Sequence, residues 1–490
     1  MAWPNPFRRR TEKTRTCWGY TFDVTDDHLT PEQTYPLKYT YDVLAEECLR
    51  KLDEISPPPR SALPRNNDRY SDKANTIRSE LKDIRTEGND EPSPPPPRDL
   101  YALLQDHAET DPKLKQLWTQ VSTVPEWVDW AQIGRGQDVF YRYGGTALTG
   151  LAYQSLLGGM GAARVVETLA RTGGFSTKVA RHRLFETTQH ILQCTKSIDS
   201  LQPGGEGFAS TIRVRFLHAA VRKRILTLAE TRPEYYSVEK WGVPINDLDS
   251  MATIATFSAS LIWIGWPRQG IFLRRQEIDD YVALWRYIAY VIGCPADMFE
   301  APAKAKAVME TLLYYEVQPT ETSKILASNI IKSLQDRAPS FASADMLVAG
   351  ARWLNGNELI DRLGLPRPGL YYWALMAGQC LFFMFMCYSY RLVPSWDRER
   401  VKWIKKIFYQ IIVESKFGLK GKVSAFDFKY VPEYSTITEM GESEKAELKY
   451  PGVERRNLKA LCIGLGVLCC GVFCTVKLAT GFFHIVGRPW

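Results

Sequence analysis

Arg215, His218 and Arg222, within TIRVRFLHAAVRKRIL, set two guanidinium groups and an imidazole at helical spacing. On an α-helix they project at roughly 0°, 300° and 340°, from one face. Their neighbours Val214, Phe216, Leu217, Ala219, Ala220 and Val221 are apolar, so this is no ordinary solvated helix. Charge converging in apolar surroundings needs an anionic partner, because unpaired buried charge is costly. A haem supplies one, its iron ligated by the imidazole and its propionates paired with the arginines; other buried carboxylates serve the arginines equally well. A hydrogen-bonded core histidine fits the same residues, and the pattern alone leaves both readings open.

A second stretch, RHRLFETTQHILQC, carries Arg183, Glu186, Thr187 and His190. These fall at roughly 0°, 300°, 40° and 340° on a helix, again one face. About one helix earlier, Glu167 sits in ARVVETLARTGGF, which has apolar residues at helical intervals. Acid, base, hydroxyl and imidazole groups therefore ride on adjacent predicted helices. A buried Arg–Glu structural pair with a satisfied threonine accounts for the same residues.

The order of several short blocks is more specific than any one of them. EWVDW at Glu126–Trp130, TGGF at Thr172–Phe175 and RLFET at Arg183–Thr187 come first. PGGEG at Pro203–Gly207, VRFLHAAVR at Val214–Arg222 and WGVPIND at Trp241–Asp247 follow, then FSASLIWIGW and EIDDYVALWRYIAYVIG. Over residues 125–390 the chain resembles the family of haem-dependent oxygenases that includes the rubber oxygenases (latex clearing proteins) and the mpaB oxygenase of mycophenolate biosynthesis.

The resemblance implies that His218 is the proximal ligand of a b-type haem and that Arg215 and Arg222 hold the haem and its helix. It implies a distal side carrying Arg183 and Thr187, with Glu167 as the acidic base. Where some rubber oxygenases place a lysine able to reach the distal iron site, this chain has Glu186. The sixth position is then open, filled by water, or closed by His190 one turn further on. Family substrates are isoprenoid, so the expected partners are dioxygen and a lipophilic, prenylated molecule attacked at an alkene. A desolvated Glu167 suits a base working near neutral pH, and a nearby Arg183 would oppose that. Phe257, Leu261, Ile262 and Trp263 are candidate pocket lining, although a packed core uses the same residue types. A non-catalytic haem-binding or haem-free membrane protein of the same fold, acting in sensing, transport or assembly, is the other class open to this chain.

The elements that must position these groups read as helices. Periodicity near 3.6 with little β alternation predicts an all-α multi-helix bundle. Predicted helices include Gln137–Leu157, Ala162–Thr172, Lys178–Cys194, Thr211–Glu230, Asp247–Ile264 and Arg275–Ile292. At 490 residues and 45% hydrophobic, the chain is long enough for one large or two ordinary domains. The expected organisation is an N-terminal arm with a Pro-rich disordered linker (1–100) and a helical haem-binding catalytic body (101–415). A charged linker (416–457) and a C-terminal membrane anchor (458–490) follow. Within the first segment, PPPR and PSPPPPR runs with few large apolar residues argue for an extended linker, and Tyr39–Leu52 for one amphipathic helix.

Ala460 to Val476 is uncharged and spans about 26 Å as a helix, just short of a full hydrocarbon core. Arg455, Arg456 and Lys459 flank its start and place that side in the cytoplasm. Leu370–Tyr390, also uncharged, reads as a buried or membrane-dipping helix ahead of a true span. MAWPNPFRRR lacks the apolar stretch of a signal peptide. The expected address is the endoplasmic reticulum membrane with the body in the cytosol. A net charge of +7 without an aromatic-interleaved basic stripe argues against nucleic acid. The ten cysteines include no C-x-x-C pair, which argues against zinc, iron–sulfur and disulfide frameworks. No H-E-x-x-H, P-loop, G-x-S-x-G or strand-led G-x-G-x-x-G occurs, so the hydrolase, nucleotide-phosphate and dinucleotide classes lack support.

Overall fold

The computed structural model describes residues 10–58, 98–426, 437–442 and 452–486, with side chains to residue 478. Apart from one two-stranded hairpin, β1 (Thr14–Cys17) and β2 (Tyr20–Asp23), the described chain is helical. The helices are α1 (Pro31–Leu37), α2 (Val43–Ile55), α3 (Leu100–His107), α4 (Pro112–Ser122), α5 (Trp130–Arg142) and α6 (Gly144–Thr149). Then come α7 (Ala163–Ala170), α8 (Ala180–Thr195), α9 (Glu206–Thr231), α10 (Asp247–Phe257), α11 (Arg275–Ile292) and α12 (Pro302–Tyr315). The last are α13 (Glu321–Leu334), α14 (Ala344–Asn355), α15 (Leu370–Arg391), α16 (Pro394–Tyr409) and α17 (Val453–Val486), with single turns between them.

Local chemistry sets many of these boundaries. Asp129 caps α5 by accepting from Ala131 N and Gln132 N, and Asn246 caps α10 by accepting from Asp249 N at 2.8 Å. Two predicted helices are broken. Gln137–Leu157 divides at Tyr143, after which the chain winds through α6 into a π-helical stretch, Gly150–Leu157. Asp247–Ile264 stops at Phe257 and resumes as π-helix at Leu261–Gly265. Such wide turns re-aim side chains in the middle of an apolar run, which periodicity alone does not reveal.

The central pair is α8 against α9. At Gly207 a Cβ would stand 2.6 Å from Gln193 O and 2.9 Å from Cys194 Cα, so only glycine permits this approach. The main core gathers α2, α4, α5, α9, α10 and α11, with Phe140, Phe208, Phe216, Tyr281 and Trp285 fully buried. A second cluster joins α7, α13, α14 and α15.

Parts of the expected N-terminal arm and of the expected charged linker are packed, and the helix expected at Tyr39–Leu52 is α2. Residues 10–58 are not a loose arm: Phe22, Cys48, Leu49 and Leu52 lie in the main core. Their amphipathic spacing found a partner in α4 and α9, which outweighs the dense surrounding charge. The Pro-rich run itself lies outside the described residues. Within the expected 416–457 linker, Leu419, Phe426 and Thr438 are buried. Thr438 donates from N and Oγ1 to the carbonyl of Ala170 at the end of α7, at 2.9 and 2.8 Å. These few anchoring residues hold the strap without any periodic pattern.

Candidate functional site

The arginines around His218 fasten its helix to the body. Arg215 forms a two-pronged bond to Asp42, Nε to Oδ2 at 2.5 Å and Nη2 to Oδ1 at 2.9 Å. Its Nη1 donates to Val291 O at 3.2 Å. Gly293, at φ +82°, ends α11 directly against this pair: a Cβ there would lie 2.4 Å from Asp42 Oδ2 and 2.7 Å from Arg215 Nε. Arg222 donates to Pro244 O and Ile245 O at 3.1 and 2.8 Å, and its guanidinium lies 4.5 Å from the Tyr41 ring centre. Arg215 is thus committed to protein groups, whereas Arg222 keeps a buried Nη1 without a hydrogen bond among the described residues, 3.6 Å from Glu46 Oε2.

His218 differs from everything around it. It is half-buried on α9, between the buried pairs Phe216–Leu217 and Val221–Arg222. Among the described residues neither ring nitrogen has a hydrogen-bond partner. Burial pushes its pKa down to about 4, and the charges of Arg222 and Arg183 and the neighbouring His190 act in the same direction. The ring is therefore neutral at pH 7 with a free lone pair, the form that ligates a metal.

On α8, His190 is buried, with Nδ1 2.9 Å from Ser210 Oγ and its ring edge-on to Phe426. Burial pushes its pKa also down to about 4. Glu186 is buried too. It accepts from Ser424 Oγ at 2.5 Å and Arg183 Nη1 at 3.1 Å, with His182 Nε2 at 3.6 Å. Burial pushes its pKa up, but the bonds from His182 and Ser424 and the charge of Arg183 outweigh it, holding the carboxyl below its ordinary range. Arg183 is half-buried. Thr187 is exposed and donates to Arg183 O at 3.0 Å. The structure thus brings His218, His190, Arg183 and Glu186 into one region and turns Thr187 to its rim.

Glu167 lies on α7, buried, and its partner is Arg171 rather than Arg183. Arg171 Nη1 reaches Glu167 Oε2 at 2.7 Å, and its Nε donates to Tyr235 O. Its guanidinium sits 5.3 Å from the ring centres of both Tyr235 and Tyr236. Those rings pack with Leu217, Val221, Ile225 and Phe426, an apolar cluster that includes neighbours of His218 on α9. Arg171 escaped the sequence reading although the Glu-x-x-x-Arg spacing is visible there. Ser424 and Phe426 escaped it too, and no local signal marks them.

Phe257, Leu261, Ile262 and Trp263 belong to the main core, Phe257 stacked on Trp285 at 5.1 Å, and not to that apolar cluster. Two clefts of about 310 and 360 Å³ open elsewhere, beside α5 and α11 and beside α8 and α16; neither is lined by His218. Among the described residues no three His, Cys, Asp or Glu side chains gather as a metal cage. The neutral imidazole of His218, without a hydrogen-bond partner among the described residues, fits a ligand that would hold a porphyrin iron. Arg215, with every nitrogen engaged, does not fit a direct propionate role; Arg222, with its Nη1 free of hydrogen bonds, fits one.

Residues 141–380 match the profile of the ER-bound oxygenase mpaB/B′ and rubber oxygenase catalytic domain. This stretch belongs to that family. An aurantioclavine synthase of Penicillium expansum is 61% identical over 33 residues, 7% of either chain. The rubber oxygenase of Streptomyces sp. (strain K30) is 21% identical over 267 residues, 52% of this chain and 61% of that one. The chain thus spans less than two thirds of the length of these curated relatives. Its fold is that of the latex clearing protein LCP in the closed state, with a TM-score of 0.52 at 16% identity, covering 76% of this chain and 91% of the other. The mpaB and rubber oxygenase family therefore accounts for the helical body from the end of α5 into α15.

Proposed function

We propose that this protein is a membrane-bound, haem b-dependent oxygenase acting on a lipophilic, isoprenoid or prenylated substrate. The observation that carries the reading is His218, an imidazole kept neutral and, among the described residues, without a hydrogen-bond partner, on a helix that buried arginines lock in place. Haem, when bound, supplies iron chemistry that turns dioxygen against an alkene.

The chain's own groups divide the remaining work. His218 ligates through its free lone pair. Arg215 and Arg222 fix the pitch of α9 and so the direction of that ring. Arg183, Glu186 and His190 make the polar distal side, and Thr187 its rim. Glu167, held by Arg171, is the proton acceptor. The cluster of Leu217, Val221, Ile225 and Phe426 excludes water and suits a hydrocarbon substrate. The catalytic body comprises 101–415 together with the packed residues 10–58, 416–426 and 437–442. α17, with no residue of its most apolar window buried, is the proposed anchor, and its basic start supports a body on the cytosolic face of the endoplasmic reticulum.

One observation favours a second reading, a non-catalytic member that keeps the fold: Glu186 is engaged by Ser424, Arg183 and His182 together. Absorption spectroscopy of purified protein separates the two. We expect a Soret band at one haem per chain that His218→Ala abolishes, and oxygen uptake with a prenylated substrate. A colourless wild type rejects haem, and a haem-loaded protein without uptake favours the second reading.

A further inference from the structure

Helix α15 has two unlike sides. One is fastened to the body. Tyr388 Oη donates to Gly270 O at 2.9 Å and accepts from Phe272 N at 3.0 Å, and Arg391 Nη1 donates to Tyr143 Oη at 2.7 Å. Phe383 presses on Gly145, where a Cβ would lie 2.3 Å from the ring. The side turned away from buried Met376, Cys380, Phe383 and Cys387 carries Leu370, Ala374, Ala377, Leu381, Phe385 and Leu392, within a sector of roughly 80° that only Tyr388, reaching to Gly270, interrupts near its end. Leu370 is 87% exposed, Phe385 67% and Leu392 82%, and no charge interrupts Leu370–Tyr390. A helix face turned to water is ordinarily polar.

Helix α17 borders that stripe. Gly378 approaches the Asn457 carbonyl so closely that a Cβ would stand 2.2 Å from it, and Gly464 meets Leu381 in the same way at 2.9 Å. Asn457 Nδ2 donates to Gln379 Oε1 at 3.1 Å, buried between the helices. Small residues and a shared amide bond are how helices associate in lipid. Beyond this contact α17 exposes Leu465, Leu468, Val472 and Phe473, so one apolar surface runs from α15 onto α17. Tyr371 and Trp396, 51% and 59% exposed, stand at the two ends of the stripe, where amphipathic rings meet a lipid–water boundary.

We propose that the outward stripe of α15 is covered by the acyl chains of the bilayer beside α17, so that the catalytic body itself touches lipid. The proposal rests on the reading of α17 as the anchor. It brings the flank of the oxygenase domain to the phase in which a lipophilic substrate dissolves. Continuity with α17 selects lipid over a second copy of the chain or water.

The test is photocrosslinking of the full chain in native membranes, with p-benzoylphenylalanine in place of Phe385 and, separately, of Leu381. The same residue in place of Leu468 reports on the anchor, and in place of Tyr35 on a water-facing control. The expected result is phospholipid adducts at Phe385 and Leu381 within about threefold of the Leu468 yield, and none at Tyr35. A chain-to-chain product at Phe385, or no adduct there while Leu468 labels, overturns the proposal and leaves the anchor standing. No lipid adduct at Leu468 overturns the anchor, and the proposal falls with it.

Discussion

Ser424 Oγ donates to Glu186 Oε1 at 2.5 Å, joining residues 238 positions apart. The contact is doubled by Gln189, whose Oε1 accepts from Ser424 N at 2.8 Å and whose Nε2 donates to Ser424 O at 3.1 Å. Two residues on, Phe426 meets the His190 ring. A segment that follows the last helix of the body thus closes over α8 on the side where the candidate distal groups lie.

Removing the hydroxyl tests that closure. Ser424→Ala leaves a buried carboxylate oxygen without its short bond, and hydrogen bonds to charged groups contribute about 1.5–3 kcal/mol. Glu186 is held below its ordinary range in the folded protein, so its contribution is present above that range and is lost as pH falls through the folded value. Urea unfolding of wild type should therefore show stability dropping on the acid side of ordinary carboxylate titration. Glu186→Gln should flatten that drop. An Ala variant as stable as wild type at pH 7 would show the strap contact to be incidental.

The two imidazoles act over a different window. His218 and His190 titrate near 4 when folded and near 6.5 when unfolded. Above pH 6.5 both states are neutral and stability is at its full value. As pH falls from about 6.5 to about 4 the unfolded chain takes up protons first, so stability declines, by up to ~3 kcal/mol per ring as a ceiling. Below that window the contribution of the two rings is constant. His190→Gln should remove part of the slope, read as denaturant midpoint against pH. Bound haem should survive to about pH 5, and loss of the Soret band near pH 6.5 would mean that burial does not protect the ligand.

What was legible in the sequence follows the range of each interaction. The His218 helix, expected at Thr211–Glu230, occupies Glu206–Thr231 because apolar periodicity is a local property. Arg183 and Glu186 span one helical turn and share a readable face; Glu167 and Arg171 have the same kind of spacing, yet the expected neighbour of Glu167 is Arg183. Asp42 and Arg215 are 173 residues apart, and nothing at either position names the other. The amphipathic spacing of Tyr39–Leu52 is local and matches the helix at Val43–Ile55, whereas buried Leu419, Phe426 and Thr438 are too sparse and unevenly spaced for any pattern to mark them. Which face of Leu370–Tyr390 is covered was likewise invisible, since every side of that helix is uncharged.

The Asp42–Arg215 pair separates a structural clamp from a cofactor clamp. Arg215→Ala strands Asp42 in a largely buried site, and breaking such a pair costs about 3–5 kcal/mol. Asp42→Asn should destabilise similarly, and a double-mutant cycle should return a large coupling. Under the clamp reading the cofactor-free protein loses stability in both variants. An Arg215→Ala protein of unchanged stability but weakened haem retention would return the arginine to the propionates.

Glu167 and Arg171 make the last separable unit. Glu167→Gln keeps the shape of the side chain and removes its proton-accepting charge, so haem content should hold while substrate-dependent oxygen uptake falls by about 10²–10⁴-fold. Arg171→Met removes the cation that orients the carboxylate and leaves it unpaired among Tyr235 and Tyr236, so both stability and turnover should fall. Arg171→Lys keeps the charge and loses the fork that also holds Tyr235 O, and should restore stability more fully than rate. That split marks Arg171 as a positioning residue. Undiminished turnover in Glu167→Gln would move the proton acceptor elsewhere, with Glu186 the next carboxylate on the distal side to examine.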